Sequence, residues 1–472
     1  MKRYLGAFVV ACAIFVCGDL FAWDNHMMFS KLIFSRDTGL SEKVKAESLQ
    51  AFIEAEKKNI AAMLGEDEAW LRANLASYAP LPDSLVFKGS ASGEALRREF
   101  FQALRINPGL PCPLYLQLMP GERHTRAALP HRAVATYDFD IPNPPFEKLN
   151  EGEMLGSVDV LATATDEPDY GLDLGLYEDN NTAWGKTYGF GTQPFGNPVY
   201  AFGTQAPFHM AFYHENFIIN LAASFIKRAS VEYRFHEFSS LAALAFKTGH
   251  PYWGYRFAGW ALHYVQDAAQ LYHAVMLPGI STYRLLRAVI LKDDQDKNLL
   301  LSEVSNKHVV YEDYQYDAMK ALTGSGDFKN SILAALTDVN HDKEVPEFYE
   351  QYMRDVVTAG VAGRRSRTDT TIVRSFPARY ISDPSYIYAT TEPGIDLYAF
   401  LKAAPEKQKE MDAELSLVFR DMGSYSRKYI SWLKAGRPAG GAGGGSLTWM
   451  IGAAAVLVLL AAYLVMRRRK AA

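Results

Sequence analysis

Leu262-His263-Tyr264-Val265-Gln266-Asp267-Ala268-Ala269-Gln270-Leu271-Tyr272-His273-Ala274 is the most informative stretch of this chain. It lies within residues 255–275, a run that is apolar, Ala-rich and suited to a buried helix. His263 and Asp267 are four residues apart, so an imidazole and a carboxylate share one helix face. Such a pair proves little by itself. With 11 His and 53 acidic residues in 472 positions, about one is expected by chance, and a second, His308/Glu312, is present. His273 changes the odds, because a His at that one further position lowers the chance expectation to roughly 0.03. On a continuous helix His273 falls about 80° short of full turns from His263. All three residues then lean toward one cavity. The competing explanation is a pair of hydrogen-bonded histidines buried in an apolar helix.

Working outward, helical patterns recur. Residues 41–75 carry apolar residues at three- and four-residue spacing among Lys and Glu, and residues 217–246 and 397–433 also read as helices. Residues 79–147 are Pro-rich and read as irregular with short strands. Residues 166–207, rich in Gly, Asp, Asn and aromatics, read as a long loop, as do residues 368–393. The expected fold class is all-α. One helical domain spans residues 23–435, with insertions at about 79–147 and 314–395. A hydrophobic content of 49% against 22% charged is enough for a full core and excludes global disorder. A net charge of −4 argues against a dedicated duplex nucleic-acid binder, which needs clustered Lys and Arg.

The two ends read as targeting segments. Met1-Lys2-Arg3, an apolar run from Leu5 to Val16 and small Ala22 form a signal peptide over residues 1–22, leaving Trp23 as the first residue. At the other end, residues 436–446 are a Gly-rich linker. Residues 447–466 are uncharged and long enough to span a bilayer, and residues 467–472 form a basic tail that stays cytoplasmic. This tail resembles bacterial C-terminal sorting tails, which are cut to release the body. The expected location is therefore exported, tethered by the C-terminal helix or released after processing. Cys12 and Cys17 lie in the leader, so Cys112 alone remains and no intrachain disulfide forms.

The quoted stretch resembles the central motif of zinc-dependent phospholipases C, a family that shares its fold with single-strand-specific nucleases of fungi and plants. That motif is H-Y-x-x-D followed, after five residues, by H-A or H-P. A second family element is H-x3-E in the phospholipases and H-x3-D in the nucleases, and here His308-Val309-Val310-Tyr311-Glu312 supplies it. A third is a Trp at the mature N-terminus with a nearby His, here Trp23-Asp24-Asn25-His26. The resemblance covers residues 23–26 and 166–312. It implies three zinc ions. Asp267 bridges two of them. Trp23, through its amine and carbonyl, and His26 complete one site. His263 completes the next with an upstream Asp and His. His273, His308 and Glu312 hold the third.

For the upstream pair the family uses a loop of the type P-D-Y followed by H-F. Pro168-Asp169-Tyr170 offers Asp169, with Asp166 and Asp173 as alternatives, and Phe208-His209 offers His209, with His214 as alternative. The chain departs from the pattern in a short gap between Trp23 and His26 and a long one between Asp169 and His209. By the resemblance, Asp169 and Asp267 are the catalytic carboxylates, Asp169 as ligand and general base. The implied activity is phosphodiester hydrolysis of phospholipid head groups by metal-activated water. Two alternatives stand beside it: a single-strand nuclease or nucleotidase, and a non-catalytic surface protein that keeps a structural zinc site. His124, His131, His236, His250 and His341 lack partner spacing and read as ordinary surface or loop histidines.

Overall fold

The structure, a computed structural model, describes residues 25–437 apart from 36–37, 138–142, 197, 199–200, 216–218, 221–222, 282, 285–293, 384–385 and 393. The leader, Trp23, most of the Gly-rich linker and the 447–466 segment lie outside the described residues. The chain divides into two compact units, Met1–Arg437 and Pro438–Ala472, and the description below concerns the first. No helix among the described residues is long and apolar enough to cross a membrane.

Counting only α-helices of nine residues or more, the order is α1 His26–Phe34, α2 Leu49–Asn74, α3 Gly93–Ala103, α4 Ser157–Thr165, α5 Val231–Thr248, α6 Pro251–Ala268, α7 Asp294–Ser325, α8 Thr358–Ser375 and α9 Pro405–Lys434. Four short strands, β1 Lys43–Lys45, β2 Tyr115–Gln117, β3 Phe146–Lys148 and β4 Met154–Gly156, form two antiparallel pairs. Val44 faces Leu155 in one and Leu116 faces Glu147 in the other. The unit is mostly helical, as the periodicity predicts.

Helix α6 is the axis of the fold. Pro251 opens it at a position where the missing N–H costs nothing. Every residue from Tyr252 to Ala268 is buried, with α4, α5 and α9 packed around it. Its contact with α4 is close because position 259 is glycine: a Cβ there would lie 2.6 Å from Ala164 Cβ and 2.7 Å from the Leu161 carbonyl oxygen. This approach lays the end of α4, and the turn that follows it, directly on the His263 face of α6. Helix α1 packs on α4 and α9, which brings His26 to the same place.

Several expectations need correction. Residues 255–275 are not one helix. Helix α6 ends at Ala268, and Gln270, extended at ψ 140°, caps a separate turn, Leu271–Ala274, by accepting from the Tyr272 N–H. The 41–75 pattern splits into β1 and α2, with Ser48 capping the helix. In 217–246 the long helix starts only at Val231, after a 3₁₀ turn at Ser224–Lys227. Pro405 divides 397–433 because it disfavours helical geometry at Ala404, whose ψ is 74°. The supposed loop 166–207 is a series of short turns, and its first one, Glu167–Tyr170, is fully buried. Residues 368–375 belong to α8, and α3 lies within the stretch read as irregular. His131, His236 and His341 are buried rather than superficial. His236 stacks on Trp70 and sits between Asp67 and Glu350, and His341 sits between Glu344 and Asp421.

Candidate metal centre

His263 is completely buried. Its Nδ1 lies 2.8 Å from the Thr165 carbonyl oxygen. A carbonyl only accepts, so Nδ1 carries the hydrogen and Nε2 keeps its lone pair. That lone pair faces Asp267 Oδ2 at 3.2 Å, His209 Nδ1 at 3.0 Å and Asp169 Oδ1 at 3.8 Å. His209 Nδ1 in turn lies 2.9 Å from Asp267 Oδ2 and 3.7 Å from Asp169 Oδ1. Four donor atoms from α6, the Glu167–Tyr170 turn and the Ala206–His209 turn thus surround one point. Donors bound tetrahedrally to zinc stand about 3.3 Å apart, given bonds near 2.0–2.1 Å. The observed spacings bracket that value, so the residues fit such an ion.

The second group shares Asp267. While Oδ2 faces His209 and His263, Oδ1 faces His26 Nε2 at 3.4 Å, and Asp169 Oδ2 stands 3.9 Å from the same nitrogen. The His26 tautomer is also set, because Nδ1 lies 3.0 Å from Gln266 Oε1. Gln266 cannot turn over, since its Nε2 donates to Ser30 Oγ and Ser426 Oγ, and the Ser426 hydroxyl already donates to the Met422 carbonyl. The third group lies beyond the helix break. Glu312 Oε1 is 2.7 Å from His308 Nε2 and 3.2 Å from His273 Nε2, and Gln270 Nε2 donates to the same oxygen at 2.8 Å. His273 Nδ1 is 3.0 Å from Asp267 Oδ1, which ties this group to the other two. The His26/His263/Asp267, Asp169/His209/His263 and His273/His308/Glu312 sets can each hold a metal ion.

Eight of the nine ligand positions expected from the sequence therefore meet here, and the ninth, Trp23, is outside the described residues. The alternatives sort themselves by what they already bind. Asp166 accepts from the Met27 N–H and from Gln117 Nε2, at 2.9 and 2.7 Å. Asp173 accepts from Arg234 and Tyr264 behind His209. His214 is held at the Arg354 carbonyl, 2.7 Å away. Residues without a motif signal complete the support: Thr165 through its carbonyl, Gln266, Gln270, and Gln205, whose Nε2 is 3.4 Å from Asp169 Oδ1. Gln266 and Gln270 carry a faint signal as amides in an apolar stretch, since a buried amide needs partners. A backbone carbonyl carries none.

Burial and mutual charge shift these groups in opposite directions. Burial raises the Asp169 pKa to about 7, His209 opposes this, and neighbouring Asp267 adds to it. Burial also works to raise Asp267, but His273, His263, His209 and His26 outweigh it and hold that carboxyl well below its ordinary range. Glu312 is held at about 2, against burial, by His308 and His273. The imidazoles move the other way. Burial disfavours the charged form of His209, yet Asp173, Asp267 and Asp169 raise it to about 10; Asp267 and Glu312 do the same for His273.

One expected outcome follows from these signs. At pH 7 the metal-free protein holds a proton on both His209 and His273, and each must leave before its imidazole ligates. Binding of a divalent metal ion near neutrality should release about two protons from these two rings, and affinity should climb with pH toward about 10. Without metal, the two raised values contribute stability below their ordinary pKa of 6.5, lost as pH rises through about 10. Titration calorimetry in buffers of different ionisation enthalpy measures the release directly. Binding heats that are the same in every buffer would contradict it.

No family model, curated protein or solved structure matches this chain.

Proposed function

We propose that this chain is a zinc-dependent phosphodiester hydrolase of the phospholipase C type, displayed outside the cytoplasm. The observation that carries the proposal is Asp267, whose two oxygens face two adjacent donor sets while His273 of the third set lies 3.0 Å from its Oδ1. Mixed imidazole and carboxylate donors at tetrahedral spacing suit zinc better than the all-oxygen shells of calcium or magnesium. His209, His263, Asp169 and Asp267 would hold one ion. His26, Asp267 and the amine and carbonyl of Trp23 would hold a second, and His273, His308 and Glu312 a third. Zinc in such a cluster supplies positive charge against phosphate oxygens and acidifies water.

The chain's own residues set the rest of the mechanism. The third set is the most open, with side-chain exposure of 14% at His308 and 15% at Glu312, against 0% at His26 and His263. A phosphodiester would reach the cluster from the His308/Glu312 side, the most exposed of the three sets. Asp169 is the general base, taking a proton from water on the inner side. Its place is held by Gln205 at Oδ1 and by the Tyr137 hydroxyl at its backbone carbonyl. Glu rather than Asp at position 312 supports the phospholipase branch.

The full chain, made in a host that removes leader peptides and purified in mild detergent, should contain three zinc ions. It should hydrolyse a chromogenic phosphocholine ester and release diacylglycerol from phosphatidylcholine vesicles. Fewer than two zinc ions per chain would defeat the assignment. Cleavage of single-stranded DNA with no action on either ester would move it to the nuclease branch. Full zinc with no hydrolysis would leave a binding protein.

A further inference from the structure

His209 lies between two carboxylates. Its Nδ1 faces the donor set described above. Its Nε2 faces Asp173 Oδ2 at 3.5 Å. Asp173 is fully buried and tightly fixed: Oδ1 accepts from Arg234 Nε at 2.8 Å and Oδ2 from the Tyr264 hydroxyl at 2.6 Å. Arg234 is itself clamped by the carbonyls of Leu104 and Arg105 and by Glu237. Nδ1 is the nearer to a carboxylate, 2.9 Å from Asp267 Oδ2, so the two ring nitrogens compete for the hydrogen until a metal ion occupies the Nδ1 side. With metal on the Nδ1 side, beside Asp267, His263 and Asp169, the remaining hydrogen stands on Nε2, toward Asp173.

We propose that Asp173 is the positioning residue for His209, fixing it in the tautomer that ligates metal through Nδ1. This is the reverse of His26 and His263, whose Nδ1 hydrogens go to Gln266 and Thr165 and whose Nε2 atoms face the cluster. The proposal rests on the metal-centre assignment made above. Its chemical content is a carboxylate–imidazole–metal relay. Asp173 sets the ring plane and makes Nδ1 a stronger donor, and the Arg234–Glu237 pair keeps Asp173 in place. Partners of this kind are worth about 10–100-fold in metal affinity. Asp173 thus acts on the centre through His209, although its spacing in the sequence also fits a ligand.

The decisive measurement uses the full chain in detergent, labelled with ¹⁵N-histidine and loaded with ¹¹³Cd. Scalar coupling identifies which ring nitrogen binds the metal, and His209→Gln assigns the resonance. Coupling at Nδ1 of His209 and at Nε2 of His263 is the expected pattern. Coupling at Nε2 of His209, or none at His209, would overturn the proposal while leaving the metal centre standing. No bound cadmium or zinc at all would remove the metal centre together with it. Asp173→Asn removes the charge and lets the amide NH₂ donate to His209 Nε2, favouring the wrong tautomer, so cadmium affinity at this position should fall about 10–100-fold with the His308 signals intact. Unchanged affinity would also overturn the proposal. Should that variant fail to fold, the coupling pattern of the unaltered protein decides alone.

Discussion

Asp267→Asn should lower phosphodiester hydrolysis by ~10³-fold or more and remove zinc in the same step, the largest functional effect expected of any single substitution here. Asp267 is almost completely buried, and four imidazoles converge on it. Both oxygens are committed, Oδ2 to His209 and His263 and Oδ1 to His26 and His273. Asparagine keeps one oxygen and turns the other into a donor. Whichever way the amide lies, its NH₂ faces a ring nitrogen whose lone pair is directed inward, and one donor set loses its shared carboxylate. The side chain is the same size, so the core around α6 is not emptied. Metal analysis together with kcat on the chromogenic ester tests this. A variant with full zinc and undiminished turnover would show that Asp267 bridges nothing.

Half of this site is legible from spacing because helices have a fixed period. His263 and Asp267 share a face of α6, and His308 and Glu312 share a face of α7, for the same reason. His273 is different. It reaches the cluster, but not by the helical rotation that its spacing suggests, since α6 stops at Ala268 and Gln270 starts a new turn. No periodicity marks that break, because Gln270 acts through a side-chain cap rather than through Pro or Gly. Choosing Asp169 over Asp166 and Asp173 depends on partners far along the chain: Met27 and Gln117 for one, Arg234 and Tyr264 for the other. The same holds for His214 and Arg354. Tertiary contacts of that span leave no local trace.

The stretch read as an insertion at 314–395 also has a different physical status. Asp369 on α8 pairs with Lys307, the neighbour of His308, and lies 3.5 Å from the Tyr272 hydroxyl next to His273. Ile372 and Val361 of α8 join the main core. In the sequence, residues 368–393 read as a loop. The adjoining helix is in fact a wall behind the third donor set.

Glu167→Gln should be the most destabilising polar substitution near the site, at about 3–5 kcal/mol. Glu167 lies two residues before Asp169 in the same buried turn, and its carboxylate accepts from Arg256 and from the Trp260 indole N–H on α6. Arg256 is 2% exposed and packs between the rings of Trp253, Tyr252 and Tyr115. Its other acceptors are neutral: the Pro113 carbonyl and the Tyr252 hydroxyl. Removing the charge of Glu167 leaves a guanidinium in a low-dielectric interior with no counter-ion, the costly way to break a buried pair. Replacing both partners at once, as Glu167→Leu with Arg256→Met, removes the stranded charge and should recover most of the loss. Urea midpoints of the single and double variants measure this. The turn also carries Asp169, so zinc affinity should fall in the single variant in step with stability, unlike Asp267→Asn, where metal is lost from a folded protein. A loss under about 1 kcal/mol for Glu167→Gln would mean that water reaches Arg256, and the turn would then owe its position to Gly171 and to the close contact of α4 with α6.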